Sequence, residues 1–417
     1  MLMELICAVQ NYDWGKYGTN SIVATLIKTA NPKFIINEEK PYAELWMGTH
    51  PNGPSYLKEK DISLEEYIQK NTNVLGIEIQ QKFGSSLPFL FKVLSIRKAL
   101  SIQAHPDKKK AEQLHLQHPE IYKDSNHKPE LAIALTEFEA LCGFRPIEEI
   151  KEYFKLLPEL RAVIGEDLVH ECMIINDPEN IVPFKKCFHS LMTCDHNLVM
   201  LQLEHLLERL SYLDKSSQVT LNGDLLQKLH LDYPGDVGCF GIYIFNYITL
   251  QPGEALYLAP NEPHAYIYGD CIECMACSDN VVRAGLTPKL KDVETLTEIL
   301  TYKCESLFAK KFYGYFEDNY TEIFQPPVPD FAVAKILIPS DKMTYELIPR
   351  RTASILIIIN GRAETHTSQI LQKGSILFVH ANEKIMLKIL KEHCSLLMFQ
   401  AFANTLAKII FNLQSMT

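Results

Sequence analysis

The chain has 417 residues, 47% of them hydrophobic and 22% charged, and a formal net charge of −10. That size and balance describe roughly two or three folded domains with a substantial core, and the acidity argues against a nucleic-acid partner, which needs a basic face. The start, Met1-Leu2-Met3-Glu4, lacks the positive region of a secretory signal, and the longest apolar stretches (residues 355–359 and 396–399) are far too short to cross a bilayer. A cytoplasmic monomer without a membrane partner is expected, its eleven cysteines reduced.

Residues 1–147 mix short strand-like runs with turns. Ser63-Leu64-Glu65-Glu66 reads as a capping box at a helix start. A strand is expected over 87–94. Asp107 is placed to cap a helix over 108–118; His115 and His118 on that helix read as surface residues. Residues 147–231 are helical in texture, with Ile150, Tyr153, Phe154 and Leu157, then Leu198, Leu201, Leu203, Leu206, Leu207 and Leu210, mostly three and four apart. Asp232-Tyr233-Pro234-Gly235 ends that block. The rest of the chain is strand-rich, with strands expected over 240–250 and 353–360 and an amphipathic closing element over 401–413.

The strand-rich part repeats itself. Residues 253–262 (GEALYLAPNE) and 374–383 (GSILFVHANE) each turn at a glycine, run through an alternating strand and end on an Asn-Glu corner. Two such copies point to two related β-sandwich or jelly-roll units. Pro263-His264 stands after the first corner and Lys384-Ile385 after the second, so only the first copy offers a ligand. The expected architecture is mainly β with an α-helical insertion. Its parts are 1–147 and 233–325, forming one unit, the insertion 148–232, and a degenerate C-terminal β unit 326–417.

Three clusters carry chemistry. In Ser101-Ile102-Gln103-Ala104-His105-Pro106 the side-chain period of a strand puts Ser101, Gln103 and His105 on one face. Asn126-His127-Lys128-Pro129-Glu130 leads into a strand over 131–135, and Pro263-His264-Ala265-Tyr266 sits at the first corner. Two histidines, a carboxylate and an amide oxygen suit one zinc with an open position. Cys271, Cys274 and Cys277 invite a thiolate-cluster reading, but no fourth cysteine is near and a strand would turn Cys274 away from the others; they read as small hydrophobes.

The strings Tyr12-Asp13-Trp14-Gly15-Lys16, 43–51 (AELWMGTHP), 100–106 (LSIQAHP), 126–130 (NHKPE), Pro263-His264-Ala265-Tyr266 and 269–289 (GDCIECMACSDNVVRAGLTPK) together resemble the type I mannose-6-phosphate isomerase family, in the family's order. The resemblance implies two cupin-type jelly rolls with a helical insertion. It also implies zinc on Gln103, His105, Glu130 and His264, and a catalytic arginine at Arg283. A turn at Gly269-Asp270 and a return along 272–282 are expected to bring that arginine over the pocket. The implied reaction interconverts mannose 6-phosphate and fructose 6-phosphate through a cis-enediol, with a hexose 6-phosphate as the only partner. A proton carrier with a pKa near neutrality is then needed. His127, Lys128, Glu273 and Asp279 all stay candidates, an acidic base with Lys128 beside it being preferred. Ser101, Lys92 and Lys289 are candidates for the phosphate, with Trp14 and Tyr266 completing the substrate-facing set. Two rivals remain: a cupin that binds metal and sugar phosphate without turnover, and an iron oxygenase.

Overall fold

The structure, a computed structural model, describes residues 2–174, 177, 180–390 and 394–405. Its first β unit is organised around one thirteen-residue strand, His264–Ala276. The second half of that strand lies between Phe89–Ile96 and Glu130–Ala134, antiparallel to both. Its first half pairs with Phe138–Phe144 and meets Ile102–Ala104 at Gln103. The change of partners falls at Gly269, whose φ of +110° suits glycine, and where a Cβ would lie 2.4 Å from the Glu137 carbonyl oxygen. A strand that bends to serve both walls of a sandwich is how a jelly roll turns its corner.

Period two then sorts the residues. Leu94, Ala132 and Cys271 point into this unit's own interior with Phe138 and Leu256. Phe91, Val93, Leu131, Ile133, Ile272 and Cys274 point the other way, into a core shared with Ile355, Ile357, Phe378 and Phe399 of the C-terminal unit. Cys271 and Cys274 therefore lie on opposite faces of the sheet.

The helical block runs from Ile147–Leu156 to Gly223–Asp232, and its longest helix, His196–Tyr212, is capped by the Asp195 carboxylate. Its stripes of leucine, with Phe184 and Phe188, close one continuous core that also takes in Leu286, Leu296 and Tyr302. Asp107 caps Lys108–Gln117 as expected. Ser63 accepts from the Glu66 amide, while the Glu66 carboxylate pairs with Lys70 instead of closing the box. The strand expected over 240–250 starts late: Gly241–Ile244 is a helical turn, and the strand is Phe245–Leu250. Apolar content alone could not separate a buried helical turn from a buried strand there.

The C-terminal unit packs two sheets around its own core. One contains Ala332–Ile338, Leu396–Phe402, Ser354–Asn360 and Ile376–Val379; the other is Thr344–Leu347, Ile385–Ile389, Arg362–Thr365 and Ile370–Gln372. The internal echo is geometric as well as textual. Gly253 and Gly374 have φ of +91° and +85°, and Asn261 and Asn382 have φ of +65° and +59°. One strand crosses the expected boundary: Leu2–Ile6 pairs with Ile376–Val379 of the C-terminal unit. Of the closing element, 401–402 complete the last strand, and the part from 406 lies outside the described residues. Among the described residues no helix is long and apolar enough to cross a membrane.

Candidate metal centre

His105, Glu130 and His264 arrive from three different elements, and one ligand atom from each lies within 4.8 Å of the others. All three are almost wholly buried. His105 Nε2 is 3.4 Å from Glu130 Oε1, and His264 Nε2 is 3.2 Å from Oε2. The other ring nitrogen of each histidine is already engaged: His105 Nδ1 donates to the Asn280 carbonyl at 2.7 Å, and His264 Nδ1 to the Glu262 carbonyl at 3.0 Å. This fixes both tautomers with Nε2 as a lone-pair donor facing inward. His105 Nε2, His264 Nε2 and Glu130 Oε2 have no hydrogen-bond partner despite their burial. Buried polar atoms are almost always paired, so three orphans facing one point fit a cation.

The electrostatics agree. Burial, reinforced by nearby Lys128, pushes the His105 imidazole down to about 4, keeping it in the neutral form that ligates. Burial alone would raise the Glu130 carboxyl, but the neighbouring Lys128 ammonium pulls the other way, and the group is held well below the usual range. Lys128 Nζ sits 3.1 Å from Glu130 Oε1. Gln103 stands directly opposite His264 on one side and Arg283 on the other. Directly opposed residues share a face, so the three form one row along the second wall.

Between these walls lies a cavity of about 250 Å³ lined by Glu130, Lys128, Gln103, Arg283, Glu273, Asp279, Tyr266 and Trp14. The alternating set Glu44 and Trp46, Lys92, and Glu273 supplies its far wall, because Trp46, Lys92 and Glu273 stand in one cross-strand row. Lys92 Nζ is 3.0 Å from Glu273 Oε2 and 3.3 Å from Glu44 Oε2. Burial pushes the Glu273 carboxyl up against the pull of Lys92, and Glu130 and Glu44 push it further. The Tyr266 hydroxyl is buried beside it without a hydrogen bond of good geometry. Trp14 and Arg283 also line an adjoining groove of about 490 Å³ with Ser101, Lys98 and Lys289.

The structure brings most of the sequence-derived candidates together and separates a few. His127 is not among the cavity-lining residues; its Nε2 pairs with Asp330 at 3.0 Å. Lys92 lies at the metal end, neutralised by two carboxylates, while Ser101 and Lys289 line the outer groove. Asp279 lines the cavity and is tied to His50 at 3.2 Å, which holds its carboxyl below the usual range. The route to Arg283 differs from the one expected. Gly269-Asp270 makes a bend inside one strand, and the chain turns only after Ala276 before Val282–Gly285 pairs with Ile102–Ala104. Glu44, His50 and Asn280 were missed as functional residues, although Glu44 and Trp46 alternate within one of the recurring strings.

A jelly roll with a two-histidine, one-carboxylate centre beneath a polar cavity defines a metal-binding cupin. The family profiles for phosphomannose isomerase type I match residues 2–147 (catalytic domain) and 164–245 (helical insertion domain). The mannose-6-phosphate isomerases of Rattus norvegicus and Homo sapiens are each 47% identical to the chain, covering 93% and 96% of it and 95% and 98% of themselves. A point mutant of phosphomannose isomerase from Salmonella typhimurium superposes with a TM-score of 0.81 at 28% identity, over 97% of this chain and 99% of its own. A mannose 6-phosphate isomerase bound with zinc and yttrium gives 0.80 at 29%, over 97% of this chain and 99% of that one. The chain belongs to the type I phosphomannose isomerase family.

Proposed function

We propose that the chain is a zinc-dependent aldose–ketose isomerase that interconverts mannose 6-phosphate and fructose 6-phosphate through a cis-enediol. The observation that carries this reading is the meeting of three buried, partnerless ligand atoms beside a cavity that Glu130 and Arg283 both line. His105, Glu130 and His264 would hold the zinc, with Gln103 as fourth ligand. Zinc on one anionic and three neutral ligands keeps a net positive charge and supplies a Lewis acid.

The chain's own residues do the rest. Moving a proton between C1 and C2 builds negative charge on two adjacent sugar oxygens. Arg283 is partly buried and has no ion pair among the described residues, so its fork is free to bind that charge. Glu273 is our choice of proton carrier, because it lines the cavity and burial raises it toward neutrality. Lys92 fixes its orientation. Lys128 places a positive charge beside the ligand carboxylate. Ser101 and Lys289 in the outer groove are assigned to the phosphate. The same reading takes a hexose 6-phosphate as the only partner and a cytoplasmic, monomeric state, in keeping with the acidity and eleven free cysteines.

Glu273→Gln tests the assignment, since it keeps the shape and removes the base. The variant should retain zinc and sugar-phosphate binding, lose turnover by at least a hundredfold, and stop exchanging the substrate's C2 proton with solvent deuterium. Exchange at the wild-type rate would move the base to another group, and binding without turnover by the wild-type protein would favour the non-catalytic cupin.

A further inference from the structure

The segment that carries the cationic end of the groove has a strained shape, and the end of the helical insertion holds it there. Strand Val282–Gly285 places Arg283 beside Gln103, and Lys289 lines the groove with Ser101. Between them Leu286 has a φ of +51° and is almost wholly buried. A bulky branched side chain avoids that left-handed conformation unless its surroundings impose it.

Asp236 imposes it. One carboxylate oxygen accepts from the Leu286 and Gly238 amides, each at 2.7 Å, and the other accepts from the Thr287 amide at 3.3 Å. The two backbones touch so closely that a Cβ on Gly238 would lie 2.5 Å from the Leu286 nitrogen, and one on Gly285 would lie 2.6 Å from the Gly238 Cα. Thr287 Oγ1 in turn accepts from the Lys289 amide at 3.1 Å. The turn bearing Asp236 is itself anchored to the groove. Tyr233 donates its hydroxyl proton to the Ala99 carbonyl at 2.5 Å, and Lys98 Nζ donates to the Asp232 carbonyl at 2.7 Å.

We infer that Asp236 is a positioning residue, through which the helical insertion sets the phosphate-binding end of the site. It touches neither the ligand atoms nor the cavity floor. Arg283 is held by strand pairing and keeps its place without Asp236, whereas Lys289 beyond the kink depends on it. The inference rests on the proposed function for the identity of the bound anion.

The test uses the full-length, zinc-loaded protein. In Asp236→Ala, the KM for mannose 6-phosphate and the calorimetric Kd for inorganic phosphate should each rise at least tenfold. Zinc content should be unchanged and kcat should fall less than threefold. Asp236→Asn keeps the acceptor for Leu286 and Gly238 but not the one for Thr287, so it should lie between the two. A folded alanine variant with wild-type KM and Kd would overturn the inference. So would alanine and asparagine variants that lose kcat and affinity equally and in step with Tm. If the alanine variant does not fold, a wild-type phosphate Kd in the asparagine variant overturns it. A wild-type protein that binds the sugar phosphate but does not isomerise it contradicts the reaction and leaves the binding comparison to judge Asp236. No phosphate binding by the wild-type protein would overturn both.

Discussion

Arg283 owes its freedom to its neighbours' other commitments: Glu273 is engaged by Lys92 and Asp279 by His50. A guanidinium without a carboxylate partner, standing in the same row as Gln103 and His264, is suited to negative charge that develops only during reaction. Arg283→Ala should therefore keep its fold and zinc while turnover falls on the order of a hundredfold to a thousandfold, and Arg283→Lys should not restore it. Melting temperature, zinc content and turnover on the same variant decide the matter; turnover that falls only in step with stability would make the arginine structural. The buried ligand His105 supplies a pH prediction for the metal-free protein. Its folded pKa of about 4 lies below the ordinary value of 6.5. The stability this contributes is full above pH 6.5 and is lost as pH falls through 4, by about 3 kcal/mol in all. Urea titrations of chelated protein at pH 7 and pH 4 measure it, and a His105→Asn variant should lose less over the same range. Ser101, Gln103 and His105 were legible because period two needs only neighbouring residues. The Glu44–Lys92–Glu273 array was not, because its members meet only through strand pairing across long sequence separations.

At the scale of elements, the strand His264–Ala276 decides where the chemistry sits. Its first residue is a ligand, Glu273 lies on its second half, and the bend between them joins the two walls. Gly269→Ala should destabilise the fold by about 1–3 kcal/mol for the backbone conformation alone, with the contact to the Glu137 carbonyl adding to it. Denaturant unfolding measures the loss; a change below about 0.5 kcal/mol would mean that the bend accommodates a side chain. The sequence pattern expected a turn at Gly269-Asp270 and a return along 272–282 where the structure has one bent strand ending at Ala276, since a glycine bend and a hairpin turn leave the same mark. The echo at Gly253 and Gly374 was legible because a glycine and a left-handed asparagine at fixed spacing specify backbone shape directly.

The whole molecule is less divisible than its sequence textures suggest. Leu131, Ile133 and Ile272 of the first unit share one core with Ile355, Phe378 and Phe399 of the second, and Leu2–Ile6 joins a sheet of the C-terminal unit. Thermal unfolding should accordingly show the two β units melting in one transition, and a chain ending at residue 313 should aggregate. Separate transitions in calorimetry would contradict the shared core. The pairing of Leu2–Ile6 with Ile376–Val379 was not legible, because contact between distant parts of a chain leaves no local trace in its sequence. The central claim, one catalytic zinc on His105, Glu130 and His264, is tested most directly by metal analysis joined to a coupled assay of fructose 6-phosphate formation from mannose 6-phosphate. The expected result is about one zinc per chain, with activity abolished by chelation and by His264→Ala and restored by zinc only in the wild-type protein. Two tightly held zincs, iron in their place, or turnover that survives removal of the metal would contradict it.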